Sequence, residues 1–331
     1  MKNPLVIIII TALALGGVFV LRSNKLGLFS QKQATSPKNS SSIDQNFSAN
    51  VQEDSVSENA AYGHVHALIL NPQDNSLLMG THYGLFKSAD QGKTFQKVET
   101  KGEVNAMDFM NFAYDPNTKT LYAGGHDLGV VKSSDGGVTW AKTDNGIKGT
   151  DIHAIAINPL DTSRIYAFSV DNGLFGTKDN GASWNRIDDG PTNPSIRAFG
   201  YMATPTSMDR GMRTDKTTNI GYLWAGTSGG LYSSFACFCG WTKTSGISDN
   251  VATYTLASDP VSRSSMLAGT KDGIFKTTDE GKTFTRASSD IKNVAAIAFD
   301  ESNPKIVFAA TSDGLIYRSN DGGKTWSKTN R

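Results

Sequence analysis

The sequence predicts an all-β fold, a six-bladed β-propeller with four-stranded blades. A short polar stretch closed by an aromatic residue recurs along the chain, and short β-rich runs separated by turn residues surround every copy. The composition agrees with this fold class, because the 331 residues include 33 glycines but only 10 prolines, and 38% of them are hydrophobic. Such a chain can form many turns and still bury a core.

The recurring stretch sets the period of the fold. It reads SADQGKTF at 88–95, SSDGGVTW at 133–140, TKDNGASW at 177–184, TTDEGKTF at 277–284 and SNDGGKTW at 319–326. The closing aromatics are 45, 44, 100 and 42 residues apart, so the long interval should contain one degenerate copy, and GGLYSSFACFCGWTK around Trp241 supplies it. Six units of about 43 residues match the length of a propeller blade.

Each unit contains four strand-like runs, the number found in a propeller blade. In the first unit they are HALILNP, LLMGT, GLFKS and the run that follows the polar stretch. The predicted propeller domain covers residues 61–331, with blades at about 61–102, 103–149, 150–191, 192–247, 248–289 and 290–331. A seven-bladed ring is the alternative, and it would require a cryptic strand from the residues before 61.

The polar stretch has a mechanical explanation. Its aspartate can accept hydrogen bonds from backbone N–H groups of its own turn, the glycine two positions later can adopt a positive φ, and the aromatic can pack between blades. The aspartates at this position are Asp90, Asp135, Asp179, Asp279 and Asp321. We therefore expect these five residues to be structural.

The pattern S/T-x-D-x-G-x-T/S-W/F resembles the Asp box of the BNR-repeat β-propellers. That superfamily includes sialidases, sortilin-type receptor domains, xyloglucan-cleaving glycosidases and photosystem II assembly factors. The resemblance covers about four-fifths of the chain and implies the propeller fold, with the boxes as structural turns away from the active face. It does not choose among activities, because one fold hosts many unrelated functions.

The N-terminus predicts a membrane attachment. Residues 1–25 contain an uncharged, mostly apolar run from Leu5 to Leu21, which favours an uncleaved signal-anchor over a cleaved signal peptide. Residues 26–60 are rich in Ser, Asn and Gln and poor in large apolar residues, so they predict a disordered polar linker. We expect the propeller to be extracytoplasmic, at the cell surface or in the periplasm, and secreted if the leader is cleaved. Positive charges lie on both sides of the apolar run and do not fix its orientation.

Charge argues against one class of partner. The formal net charge is +1, and the folded part has no run rich in Lys and Arg. A nucleic-acid-binding protein would show a basic stripe, so none is expected as a partner.

All five histidines map to the first three blades. In a four-stranded blade, the start of strand one and the turn between strands two and three lie on the face opposite the Asp boxes. His64 and His66 start the first strand of blade one, and His82 and His126 lie in turns between strands two and three. In register, His64 aligns with Asp108 and Asp151, and His66 aligns with His153 and Arg197. All of these residues except Asp151 form the predicted ligand-binding face.

Three interpretations of this face remain open. Neutral imidazoles with carboxylates suit zinc or copper, with His64, His66, His82 and His126 as the ligands. Asp108 and Asp151 could instead be the paired carboxylates of a glycosidase. In the third interpretation they are strand-end and turn residues with satisfied hydrogen bonds.

Blade four departs from the pattern. It carries a long insertion with Met208 and Met212, and its degenerate copy contains both cysteines of the chain, Cys237 and Cys239. The cysteines could bind a soft metal such as copper with the methionines, form a strained local disulfide, or remain reduced. This departure most simply predicts a partner-binding edge.

A sialidase site does not transfer onto this sequence. Sialidases hold their substrate with an arginine cluster, and Arg210 and Arg213 fall in the insertion on the box face, whereas Arg197 alone could reach the other face. The sequence therefore predicts an exported, membrane-tethered binding or assembly propeller for an extracytoplasmic protein or glycan, with no required cofactor. A glycosidase that uses Asp108 and Asp151 is the alternative, and metal binding by the histidine-rich face is the second.

Overall fold

The computed structural model describes residues 62–103, 108–188, 195–203, 221–235, 238, 240–262 and 264–330. These residues belong to one compact unit, Glu53–Arg331. The predicted leader and linker, Cys237, Cys239, and the insertion that holds Arg210 and Arg213 lie outside the described residues. Within the described ranges, no helix is long and apolar enough to span a membrane.

The described chain folds into six sheets in sequence order, and each sheet is one blade. Blade one contains β1 (Val65–Asn71), β2 (Ser76–Thr81), β3 (Gly84–Ser88) and β4 (Gln96–Lys97). Blade two contains β5 (Lys101–Gly102), β6 (Asn111–Asp115), β7 (Thr120–Gly125), β8 (Gly129–Ser133) and β9 (Thr139–Lys142). Blade three contains β10 (Ile152–Ile157), β11 (Ile165–Ser169), β12 (Gly173–Thr177) and β13 (Asn185–Arg186).

The second half of the ring repeats this order. Blade four contains β14 (Ile196–Ala203), β15 (Gly221–Thr227), β16 (Gly230–Phe235) and β17 (Thr242–Lys243). Blade five contains β18 (Thr253–Ser258), β19 (Met266–Thr270), β20 (Gly273–Thr277) and β21 (Thr285–Ser288). Blade six contains β22 (Val294–Phe299), β23 (Val307–Thr311), β24 (Ile316–Ser319) and β25 (Ser327–Lys328).

The blades form a closed ring around one axis. The first strands of the blades contact one another in the order β1, β6, β10, β14, β18, β22 and back to β1. The prediction of a six-bladed all-β propeller is confirmed, and the described residues provide six blades rather than seven.

One strand differs from the predicted blade limits. Lys101–Gly102 falls at the end of the range predicted for blade one, but it pairs in parallel with β9 and forms a fifth strand of blade two. The Lys101 N–H donates to the Val138 carbonyl at 2.8 Å, and the Glu103 N–H donates to the Trp140 carbonyl at 3.2 Å. The segment that connects the first two blades thus covers the outer edge of the second.

The core is divided into six layers, each between two neighbouring blades. The layer that closes the ring joins Leu68, Met79 and Phe86 of blade one to Phe308 and Ile316 of blade six. The other five layers join blades one and two, two and three, three and four, four and five, and five and six. Because the inner strands bury both faces, consecutive side chains in them are apolar, as in VAAIAF of β22.

The Asp boxes hold the layers together as the sequence predicted. Asp90 accepts hydrogen bonds from the N–H groups of Lys93 and Thr94 at 3.1 and 2.9 Å and from the Thr94 hydroxyl at 2.6 Å. In each box the aromatic packs on the preceding blade; Trp140 of blade two, for example, lies against Leu78 and Leu85 of blade one. One feature of the boxes was not predicted from the sequence. The residue after each box aspartate also has a positive φ, as Asn180 does at 57°.

Blade four lacks the box and uses other contacts. The Ser234 hydroxyl donates to the Gly240 carbonyl at 2.7 Å, and the Phe238 N–H donates to the Phe235 carbonyl at 2.7 Å. Phe238 is buried and packs edge-on against Tyr166 of blade three, with ring centroids 5.2 Å apart. An aromatic therefore still joins this blade to the preceding one.

Candidate functional site

The first strand of five blades carries the same irregularity near its start. Its pairing with the second strand shifts register across one residue. In each case the register passes over one residue of the first strand. These residues are His66, His153, Arg197, Tyr254 and Ala295. A β-bulge re-aims the side chain of the extra residue, and three of these five residues, His66, Arg197 and Tyr254, line one cavity at the mouth of the ring. Three of these positions, His66, His153 and Arg197, are those that the sequence register had aligned, although the bulge itself was not predicted.

Blade two reaches the same mouth by a different backbone. Asp108 precedes β6, and its carbonyl lies against Gly125 so closely that a Cβ on Gly125 would be 1.6 Å from the Asp108 oxygen. Gly125 directly precedes His126, in the turn between β7 and β8. Only glycine allows this approach, which brings the Asp108 backbone beside the turn that carries His126.

The structure brings all five histidines and two aspartates of blades one to three into one line. We call this group the histidine row; it consists of His64, His66, His82, Asp108, His126, Asp151 and His153. On the blade-one side, the ring centroids of His64 and His66 are 4.6 Å apart. The Nε2 atoms of His66 and His82 are 3.0 Å apart.

Asp108 lies at the centre of the histidine row. Its Oδ2 is 2.8 Å from Nδ1 of His82 and 2.9 Å from Nδ1 of His126. A carboxylate only accepts hydrogen bonds, so both Nδ1 atoms donate to it, and each neutral ring then keeps a lone pair on Nε2. The two rings are nearly parallel, with centroids 5.7 Å apart.

The blade-three side continues the row. Nε2 of His126 is 3.1 Å from Nε2 of His153, and Nε2 of His153 is 3.0 Å from Oδ1 of Asp151. The His126 Nε2 is also 3.8 Å from the same Asp151 oxygen. The ring nitrogens of the histidine row thus form two clusters, one on each side of the Asp108 carboxylate.

Burial and charge set the protonation states in the row. Burial lowers the pKa of His66 well below its ordinary value, and the neighbouring rings of His64 and His82 lower it further. Burial acts to raise the pKa of Asp108, but the hydrogen bonds from His126 and His82 outweigh it and hold that pKa well below its usual range. The row therefore combines a neutral imidazole with an ionised carboxylate.

Asp108 has one further unused acceptor. Its Oδ1 is buried and accepts no hydrogen bond from the described residues. A buried acceptor without a partner costs free energy, so this oxygen favours the approach of a cation or a donor.

Arg197 faces the mouth from the opposite side. Its guanidinium lies over the Tyr254 ring, 5.6 Å from the centroid. Both residues line a cavity of about 70 Å³ together with His66 and Met110. The structure therefore places Arg197 in the same mouth as the histidines, in contact with an aromatic ring.

Three groups in the row have the geometry to hold a metal ion. In each group, one ligand atom from each of three residues lies within 4.8 Å of the others. The groups are His64, His66 and His82; His82, Asp108 and His126; and His126, Asp151 and His153. Imidazole and carboxylate ligands suit zinc and copper.

The placement of Asp108 and Asp151 in the structure differs from the pair of catalytic carboxylates that the glycosidase interpretation requires. Asp108 and Asp151 share the rim, but the His126 ring lies between them and contacts both carboxylates, at 2.9 and 3.8 Å. The low pKa of Asp108 keeps this carboxyl ionised, which suits the nucleophile or base of a glycosidase but not the acid, which must carry a proton. The assignment of these two residues as catalytic stays a prediction.

Family comparisons agree with the fold. The family model "Sortilin, neurotensin receptor 3" matches residues 129–265, and the BNR/Asp-box repeat model matches residues 317–328. No curated protein matches the sequence. The chain is a six-bladed β-propeller. Its five hydrogen-bonded Asp boxes and these two matches, which together cover fewer than half of its residues, support the BNR-type, or Asp-box, β-propeller superfamily.

Solved structures with the same fold include glycosidases. The GH74 xyloglucanase from Xanthomonas campestris matches with a TM-score of 0.56 and 20% identity, over 81% of this chain and 45% of that one. A GH74 enzyme from Niastella koreensis matches with a TM-score of 0.57 and 18% identity, again over 81% and 45%. This chain spans less than half the length of either enzyme, and identities this low indicate the shared fold alone.

Proposed function

We propose that this protein is an exported, membrane-tethered binding propeller that holds a transition-metal ion, zinc or copper, on its histidine row. The observation that carries the proposal is the convergence of all five histidines of the chain with two aspartates on one rim, from strands and turns far apart in sequence. The five Asp boxes have a complete structural role and leave this rim as the chemically distinctive surface.

The arrangement supports binding more than turnover. A binding site requires only a shaped polar surface, whereas glycoside hydrolysis requires two carboxyl groups that face each other across a free space. In the histidine row the space between the two carboxyl groups holds the His126 ring. A metal ion on the row would also offer a coordination position to an extracytoplasmic protein or glycan ligand.

The metal proposal is tested on the full-length chain purified in detergent. Elemental analysis and calorimetric titration with Zn²⁺ should detect bound metal in the natural chain and less metal per chain in the double variant His64→Ala/His66→Ala. Asp188→Asn is the matched control, because it removes a carboxylate that is 89% exposed and outside the row. Failure of the natural chain to bind Zn²⁺ or copper would refute the proposal.

Export is tested separately. Protease added to intact cells, or to cells whose outer membrane has been permeabilised, should digest the propeller domain if it lies outside the cytoplasmic membrane. The protein should also sediment with membranes as long as residues 1–25 are retained. Protection of the domain until the cytoplasmic membrane itself is lysed would place it in the cytoplasm and contradict this part of the proposal.

The glycosidase hypothesis has its own measurement. Turnover of a panel of glycans by the natural chain, abolished by Asp108→Asn and by Asp151→Asn, would support it. No cleavage of any glycan would remove it and leave the binding proposal intact.

A further inference from the structure

The histidine row is built as two separate sets of three ligands. One set is His64, His66 and His82 from blade one, and the other is His126, Asp151 and His153 from blades two and three. The two sets share no residue. Asp108 separates them and is hydrogen-bonded to one histidine of each set.

The spacing inside each set suits one ion. A tetrahedral zinc with Zn–N distances of about 2.0–2.1 Å places two ligand nitrogens about 3.3 Å apart. The Nε2 atoms are 3.0 Å apart in the His66–His82 pair and 3.1 Å apart in the His126–His153 pair. Each pair therefore needs to open by only a few tenths of an ångström to hold an ion in place of the shared proton.

Asp108 has the position of an orienting carboxylate rather than a ligand. Histidines that bind a metal through one ring nitrogen usually donate the other N–H to a carboxylate or carbonyl, which fixes the tautomer and the ring orientation. Oδ2 of Asp108 receives such a bond from Nδ1 of His82 and from Nδ1 of His126. This leaves the Nε2 lone pair of each ring directed away from Asp108, toward its own set.

We propose that the histidine row binds two metal ions, one in each set, and that Asp108 is a positioning residue shared by both sites. This inference rests on the proposed metal-binding function and specifies its stoichiometry and ligand sets. Three protein ligands leave a fourth position of each ion open. Because the row is partly exposed, with side chains of His126 and Asp151 33% and 35% accessible, a water or an anionic ligand group can enter that position.

The competing arrangement is a single ion between His82, Asp108 and His126. It would require both hydrogen bonds to Asp108 Oδ2 to break, because the ion would take the two Nδ1 atoms as ligands. The single-ion arrangement predicts one ion per chain and requires Asp108 as a ligand of that ion. The two arrangements therefore differ in measurable ways.

The test uses the full-length chain with Cys237→Ser and Cys239→Ser, since free thiols would also bind zinc. Zn²⁺ titration with elemental analysis should give two ions per chain. His66→Ala should retain only the ion of the second set, His153→Ala should retain only that of the first, and the double variant should retain neither. Asp188→Asn, outside the row, should still bind two.

The Asp108→Asn variant separates the positioning role from a ligand role. We expect two ions to remain bound, each with an affinity reduced about 10- to 100-fold, the usual effect of losing an orienting partner. Complete loss of zinc in Asp108→Asn, or one ion in the starting chain, would overturn the two-site inference while leaving metal binding in place. No zinc at all would refute the proposed function itself.

Nitrogen-15 spectra of the imidazoles provide an independent readout, because every histidine of the chain belongs to the row. At saturation, the Nε2 resonances of His82 and His126 should shift, while both Nδ1 atoms keep the signature of protonated donors. Loss of those protonated Nδ1 signals would contradict the shared role of Asp108. If His66→Ala fails to fold, His66→Gln serves instead, since it keeps a hydrogen-bonding side chain of similar reach.

Discussion

Asp108 shows how a single side chain can organise a surface. Its two bonded imidazoles come from different blades, and its backbone position depends on the absence of a side chain at Gly125. The bulged residues His66 and His153 then approach from the two sides. The rim is therefore specified by a few residues whose backbone geometry is unusual rather than by a long surface patch.

Glycines of the Asp boxes have a second role besides their positive φ. A Cβ on Gly281 would lie 2.2 Å from the Trp224 ring, and the φ of Gly281 is +77°. Gly173 has a similar φ of +85° but no atom within 4 Å of its Cβ position. A comparison of these two glycines therefore separates the effect of backbone strain, which both share, from that of steric contact with the preceding blade, which only Gly281 has.

We expect Gly281→Ala to be clearly more destabilising than Gly173→Ala. The strain of a positive φ costs about 1–2 kcal/mol in either variant, and overpacking against Trp224 adds about 1–3 kcal/mol in Gly281→Ala alone. Urea unfolding of both variants measures the difference. Equal losses would show that the box glycine serves only the backbone conformation.

At the scale of the element, the Asp box is an acid-sensitive turn. The hydroxyl and N–H of Thr283 donate to Asp279, and these bonds lower the pKa of Asp279 to about 2. Similar bonds lower the pKa of Asp90 and of Asp179 to about 2. All three carboxyl groups would titrate near 3.9 in the unfolded chain.

The sign of the pH dependence follows from these shifts. A carboxyl group whose pKa is depressed by folding stabilises the folded state above its unfolded pKa, and this stabilisation is lost as the pH falls through the folded value. We therefore expect the urea midpoint to decrease between about pH 4 and pH 2, with the boxes titrating together.

Thr283→Val tests the contribution of one box. It removes the hydroxyl donor to Asp279, so the pKa of that carboxyl should rise and the loss of stability in acid should become smaller relative to neutral pH. Thr242→Val, an exposed threonine of the blade without a box, is the control and should keep the natural pH dependence. An unchanged dependence of stability on pH in Thr283→Val would argue against the Asp box as the source of the acid sensitivity.

At the scale of the whole molecule, no strand of the described residues is exchanged between the first and last blades where the ring closes. β25 completes its own blade, and β1 is the innermost strand of blade one. Closure instead depends on the apolar layer between blades six and one and on a few hydrogen bonds, such as Val65 N–H to the Ser312 carbonyl at 3.0 Å and the Thr329 hydroxyl to the Gly92 carbonyl at 3.2 Å.

Phe308→Ala should therefore weaken the entire ring. Phe308 is 2% exposed in the closing layer, and truncation of a buried phenylalanine costs about 3–5 kcal/mol. We expect one cooperative unfolding transition at a lower urea concentration, because every blade depends on two neighbours. Val261→Ala, at a side chain that is 71% exposed, is the control. Separate unfolding of blade six, seen as two transitions, would show that closure is not coupled to the other blades.

Much of this architecture was readable from the sequence because it repeats. The five Asp boxes and the degenerate copy in the long interval between them predict the number and order of the blades. The alternation of strands and turns places His64, His66, His82 and His126 on one face. The side strand at Lys101–Gly102 was not predictable, since two residues carry no recognisable strand pattern. The positive φ at Gln91 and Glu280 was also missed, because neither residue type favours it.

The sequence by itself determined the ring, because a local turn motif repeated at a fixed interval encodes hydrogen bonds within a few residues of each other. Only the tertiary structure decided how the rim is organised. The bulge at His66 and His153, the close approach of Asp108 to Gly125 and the placement of the His126 ring between two carboxylates all arise from contacts between residues of different strands or blades. Such contacts depend on distances across the closed ring, which no local pattern in the chain records.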